Sequence, residues 1–105
     1  MDASVVYITA KDRDEALAIG RALVQERLVA CANVIDGVTS LYWWNDGVQS
    51  DSEAVLISKT RSENVDRVIT RVKELHSYEC PCVVSWPITK GSPEYLDWLA
   101  QESQP

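Results

Sequence analysis

Two runs rich in β-branched and aromatic residues, Ala32 to Trp44 and Val48 to Thr60, flank the tripeptide Asn45-Asp46-Gly47. Asn, Asp and Gly tolerate the positive φ that tight hairpin turns need, so the runs are expected to fold back on each other as one antiparallel ribbon. Strands usually hold about 5 or 6 residues, whereas each arm here has room for roughly 11, a length of ~36 Å at ~3.3 Å per residue. Asp36-Gly37 alone interrupts the first arm and reads as a bulge or bend. The distal ribbon is expected to set Leu41-Tyr42-Trp43-Trp44 against Val55, Leu56 and Ile57. So much aromatic surface on a protruding ribbon is an association hazard unless it is covered. Either the hairpin curls over its own core or copies of the chain cover it for each other. The length of the paired arms favours a homo-oligomer, with Tyr42, Trp43 and Trp44 at the interface.

The rest of the chain supplies what such a ribbon needs to fold on. Ser4 to Thr9, with Val5-Val6-Tyr7-Ile8-Thr9 in succession, reads as a central strand. Asp12 or Asp14 caps a first helix over about Asp14 to Arg27, where Ala16, Ile19, Gly20, Leu23 and Val24 recur at three- and four-residue spacing. Gly20 on that stripe costs roughly 1 kcal/mol of helix propensity against Ala, which points to a close helix-to-sheet approach. Thr60 and Glu63 have capping-box spacing, and Val65, Val68, Ile69, Val72 and Leu75 give a second helix over Ser62 to His76. Cys82 to Trp86 is a fourth strand; Pro81 and Pro87 confine it to an edge or a bulge. Ser92-Pro93-Glu94 opens a short third helix through Tyr95, Leu96, Trp98 and Leu99. Right-handed crossovers put both main helices on one face of an antiparallel sheet. The expected fold is α+β, a ferredoxin-like βαββαβ sandwich with a C-terminal helix, forming one domain over residues 1–105.

Charge narrows the partners. Lys+Arg 10 against Asp+Glu 16 leaves a formal net charge of -6, which disfavours nucleic acid and anionic membrane surfaces. No run approaches the ~20 apolar residues of a membrane span and Met1-Asp2-Ala3 lacks the basic start of a signal peptide, so a cytoplasmic location is expected. Three cysteines, Cys31, Cys80 and Cys82, are then read as reduced thiols. Cys31, among Val29, Ala30 and Ala32, reads as a packed thiol. His76 is the single histidine, and no nucleophile-elbow, phosphate-loop or zinc-protease motif occurs, so the chain is read as a non-enzyme. At the end of the second helix His76 either complements the helix dipole or joins Glu79, Cys80 and Cys82 in a mixed N/O/S metal site. On a strand the Cys-x-Cys pair would point both thiols to one face. Glu53, Lys59, Arg61 and Lys90 either line a polar pocket between subunits or sit as solvated rim charges.

Several stretches together resemble the CutA divalent-cation-tolerance family. They include Glu26-Arg27-Leu28-Val29-Ala30-Cys31-Ala32-Asn33, Gly37 to Trp44, Ser58-Lys59-Thr60-Arg61-Ser62, Glu74-Leu75-His76, Tyr78-Glu79 followed by Pro81, Pro87-Ile88 with Gly91, and Tyr95 to Leu99. The resemblance implies a homotrimer, similar in architecture to the PII signalling proteins, that binds copper or another divalent ion. A metal-binding histidine of the family maps to His76. Thr9 stands where some members carry a cysteine, and Pro81-Cys82 stands where the family commonly reads Pro-Glu. Exchanging carboxylate for thiol shifts preference toward Cu(I) or zinc. The expected function is therefore non-catalytic metal binding through His76, Cys80 and Cys82. The alternative is a PII-like module that binds a small anion at subunit interfaces, with Lys59 and Lys90 as contacts. Light scattering at micromolar protein is expected to return three subunit masses, and the mass of a lone chain would remove the threefold assembly.

Overall fold

The chain runs β1 (Ala3–Ala10), α1 (Arg13–Gln25), β2 (Cys31–Trp44), β3 (Gly47–Arg61), a 3-10 turn (Ser62–Asn64), α2 (Val65–Leu75), β4 (Val83–Pro87) and α3 (Pro93–Glu102) in a computed structural model that describes residues 2–104. The hairpin arms hold 14 and 15 residues, longer than the turn signal and composition alone imply. Asn45 and Asp46 form the two-residue turn with φ of 51° and 62°, a pairing that matches the right-handed twist of the strands. Trp44 therefore opposes Gly47, Trp43 opposes Val48 and Tyr42 opposes Gln49. This corrects the expected partners, because Val55, Leu56 and Ile57 pair with Ile35, Val34 and Asn33 nearer the base of the ribbon.

The bulge at Asp36-Gly37 is real. Ile35 opposes Val55 and Val38 opposes Glu53, so β2 carries one residue more than β3 between these pairs. Gly37 absorbs the distortion at φ 72°, where a Cβ would be strained, and its N–H donates to Asp36 Oδ1 at 2.8 Å.

The sheet order is β2-β3-β1-β4 with antiparallel neighbours throughout. β1 lies inside the sheet, and β4, which contains Pro87, pairs with β1 alone at the edge. Val6, Ile8 and Ala10 of β1 and Ala54 and Leu56 of β3 form one buried cluster with Ala16, Ile19 and Leu23 of α1 and Val68 and Val72 of α2. Both main helices therefore cover the same sheet face. On the other face Tyr7 stands between Ile57 and Val84, and Val5 between Lys59 and Trp86. α3 covers only the end of that face near Ala3, through Leu99. Ile35, Val84 and Trp86 remain about half exposed, so an apolar sheet face is left open.

One alternative is settled and two local expectations are revised. Asp12, and not Asp14, caps α1, its Oδ1 accepting the Glu15 N–H at 2.8 Å. Thr60 and Glu63 form no capping box. The buried Thr60 hydroxyl donates to the Leu28 carbonyl at 2.6 Å and accepts from Asn64 Nδ2, while Glu63 pairs with Arg61, so a 3-10 turn precedes α2. Cys82 falls just outside β4, which begins at Val83.

Gly20 is where α1 lies closest to the sheet. A Cβ there would sit 3.0 Å from Leu56 Cδ1 and 3.3 Å from the Ala32 Cβ, both inside ordinary contact distance. Gly20→Val is expected to destabilise the fold by about 1–3 kcal/mol through overpacking, read as a lower denaturant midpoint at unchanged slope. A midpoint equal to that of the parent chain would show that α1 can lift off the sheet.

Candidate functional site

The bulge sets which side chains the outer half of the hairpin turns toward the helix-free face. Along β3, Lys59, Ile57, Val55, Glu53 and Asp51 share that face by strand alternation. Opposite them β2 presents Cys31, Asn33 and Ile35 before the bulge, but Val38, Ser40 and Tyr42 after it. Tyr42 and Trp44 thus turn to the side of Glu53, and Trp43 is left 74% exposed on the other. Between this arm and the segment leading into β4 lies a cleft of about 710 Å³, walled by Tyr7, Thr9, Val38, Tyr42, Trp44, Glu53, Tyr78, Glu79, Cys80 and Cys82 among others.

Glu53 lies deepest in terms of burial, 8% exposed, and its Oε2 accepts the Tyr78 hydroxyl at 2.8 Å. Burial and this bond to a carboxylate push the Tyr78 phenol well above the usual tyrosine range. The Tyr42 hydroxyl donates to Asp51 across the hairpin, and that bond likewise raises its pKa.

His76 positions Tyr78. Its fully buried ring donates from Nε2 to the Thr9 carbonyl at 2.7 Å and accepts the Tyr78 N–H at Nδ1, 3.1 Å away. The two bonds require the neutral Nε2–H tautomer. The His76 and Tyr78 rings also pack with centroids 4.7 Å apart. Glu15 closes the same corner: Oε1 accepts the Lys11 N–H and Oε2 the Ser77 N–H, each at 3.0 Å. Burial pushes the Glu15 carboxyl up, but hydrogen bonds from Ser77 and Lys11 outweigh it and hold the pKa below the ordinary value.

The residues singled out from sequence separate into three places. Cys80 and Cys82 are exposed and line the cleft, on the irregular segment before β4 and not on the strand itself. His76 is next to them in sequence, yet both of its ring nitrogens are already engaged and it does not line the cleft. Among the described residues no group of three or more His, Cys, Asp or Glu side chains converges as a metal centre. Lys59 lies six residues along β3 from Glu53, roughly 20 Å at ~3.3 Å per residue. Its ammonium donates to the Tyr95 hydroxyl at 3.1 Å and sits 5.2 Å from the Tyr95 ring centre; the hydrogen bond raises its pKa. Glu53 and Lys59 therefore share no pocket within one protomer, and Lys90 lies exposed in the loop after β4. Cys31 is also not simply packed among small apolar residues: it is half-buried opposite Lys59, with Sγ 3.4 Å from the Tyr95 hydroxyl. Tyr7 and Tyr78 were given no role in a site from the sequence, because only the fold sets β1 and the segment after α2 on the same cleft as Glu53.

A model of the CutA1 divalent ion tolerance protein family matches residues 4–102. The divalent-cation tolerance protein CutA of Thermus thermophilus is 43% identical over 99 residues, covering 94% of this chain and 96% of that protein. The chloroplastic CutA protein of Arabidopsis thaliana is 41% identical over 100 residues, and this chain spans only 55% of its length. The solved structure of CutA1 from Oryza sativa superposes with a TM-score of 0.97 at 36% identity, over 99% of this chain and 95% of that one.

The corner held by Glu15 carries a pH signature. Its folded pKa lies below the ordinary value of 4.5, so its contribution to stability is present above that pH and is lost as pH falls through the folded value. Glu15→Gln is expected to lower stability at pH 7 and to flatten the loss of stability below about pH 4.5. Denaturant midpoints at pH 7 and pH 3 measure the slope, and a slope equal to that of the parent chain would remove Glu15 from the acid transition.

Proposed function

This chain belongs to the CutA1 divalent ion tolerance family, and on that premise we propose that it is a homotrimeric, ferredoxin-like protein that binds copper or another soft or divalent metal ion and catalyses no reaction. The observation that carries the metal reading is the exposed thiol pair on one cleft, Cys80 and Cys82. Thiolates are soft donors and favour Cu(I) and zinc over hard cations. The donor set fits those ions chemically, and Glu79 on the same cleft adds an oxygen donor. His76 is assigned a supporting part in this reading: it holds Tyr78 and the end of β1 in place, and its ring has no free lone pair to give.

The open apolar face supports the trimer. Ile35, Val84 and Trp86 on the sheet and Trp43 and Trp44 on the hairpin leave a surface that a second and third copy would cover. Among the described residues no helix is long and apolar enough to cross a membrane. Three free thiols suit a reducing compartment, and the cytoplasm is the location we propose. A PII-like anion pocket built on Lys59 and Lys90 is the weaker reading, since Lys59 is spent on Tyr95.

Cu(I) and Zn(II) titrations of the parent chain, the Cys80→Ser/Cys82→Ser variant and His76→Gln test the assignment. The double variant is expected to lose more affinity than the roughly 10–100-fold that follows from removing a supporting residue. His76→Gln is expected to fall within that smaller range and to lower stability. A double variant that titrates like the parent chain would sink the thiol site.

A further inference from the structure

The last helix is held mainly by its end. Among the described residues the main buried cluster takes no side chain from α3, whose one fully buried residue, Leu99, packs in a separate small cluster with Ala3 and Ala30. A helix of 10 residues is marginal in water by itself, so α3 stays helical only while it is docked. Its last turn, Leu99-Ala100-Gln101-Glu102, carries no cation to meet the orphan carbonyls at the negative end of the helix. The rest of the chain supplies one. Arg61, at the end of β3, donates from Nε to the Ala100 carbonyl at 2.9 Å and to the Ser103 carbonyl at 2.8 Å. The buried Asn64 donates from Nδ2 to the Gln104 carbonyl at 2.6 Å, and the Gln104 N–H donates to the Arg27 carbonyl at 2.9 Å.

Arg27 marks this end as a built latch. It closes α1 in a Schellman arrangement, with the Leu28 N–H on the Leu23 carbonyl and the Arg27 N–H on the Val24 carbonyl, and its φ is 59°. Glycine takes that conformation freely, whereas an arginine there is strained, and retained strain points to a use for the side chain. Its Nη1 donates to Glu102 Oε2 at 2.7 Å, on the last residue of α3. We propose that α3 is a strap: it opens as one unit about residues 89–91 while the sheet, α1 and α2 stay folded, and the latch of Arg27, Arg61 and Asn64 sets how often it does so. Opening returns to the sheet face the Lys59 ammonium that the closed strap spends on Tyr95. The latch lies wholly within one chain, so it does not rest on which surfaces a second copy covers.

Native-state hydrogen exchange of the assembled full chain, read by peptide mass spectrometry, tests the strap. The α3 amides are expected to exchange about tenfold or more faster than those of β1. Gly20→Val, which disturbs the packing of α1 on the sheet, is expected to speed β1 exchange and leave α3 exchange unchanged. Arg61→Ala is expected to speed α3 exchange about tenfold or more, since it removes a charged donor from two carbonyls. Arg27→Gly, which relieves the strain and loses an exposed ion pair, is expected to speed α3 exchange about twofold with β1 exchange no faster. If α3 exchange follows β1 exchange in Gly20→Val, the helix opens only with the whole domain and the proposal is overturned. Unchanged α3 exchange in Arg61→Ala overturns it too, as does unchanged α3 exchange in Arg27→Gly should Arg61→Ala fail to fold.

Discussion

Pairing of Ile35 with Val55 and of Val38 with Glu53 makes β2 accommodate one residue more than β3, and the facing of every later side chain on that arm follows from it. With an unbroken ladder, Leu41 and Trp43 would turn toward Glu53 and Tyr42 and Trp44 away. The bulge exchanges the two sets. A tyrosine and a tryptophan come to stand on the side of a buried carboxylate, and the most exposed tryptophan is left facing the other way. Gly37 makes the exchange cheap, since its φ of 72° lies in a region open to glycine and strained for other residues.

The cleft depends as much on what holds Tyr78. Its hydroxyl donates to Glu53, and its backbone N–H is held by the His76 ring, which in turn grips the Thr9 carbonyl on β1. A histidine in this position acts through geometry. Both nitrogens are used in the neutral form, so the residue ties the end of α2 to the sheet and orients the segment that carries both thiols. The same ring would have to surrender the Tyr78 N–H before it could ligate a metal ion. Structural and metal-binding uses of His76 therefore compete for one lone pair.

Much of the fold was legible in local chemistry. The hairpin followed from Asn45-Asp46-Gly47 between β-branched runs, the bulge from Asp36-Gly37, the edge strand from Pro87, and the close approach of α1 from a glycine on an apolar stripe. These features depend on backbone conformations available to single residues or on short-range periodicity. The errors arose where two distant groups compete for one partner. Thr60 and Glu63 have the spacing of a capping box, but the Leu28 carbonyl takes the Thr60 hydroxyl first. Lys59 has the charge for a ligand pocket, but Tyr95, 36 positions further along the chain, captures it.

Elements, turn types, the parity of the sheet faces and the soft character of the two exposed thiols are set by residue type and spacing, because steric and solvation preferences act within a few residues. Which groups share a cleft is decided by the packed chain alone. Tyr7, Glu53 and Tyr78 come from β1, β3 and the segment after α2, and nothing in their spacing announces that they line one cleft. Burial then changes their setting: the Glu53 carboxyl, a surface group in an extended chain, is withdrawn from water under the hairpin and takes the Tyr78 hydroxyl, since only the folded sheet brings the two together.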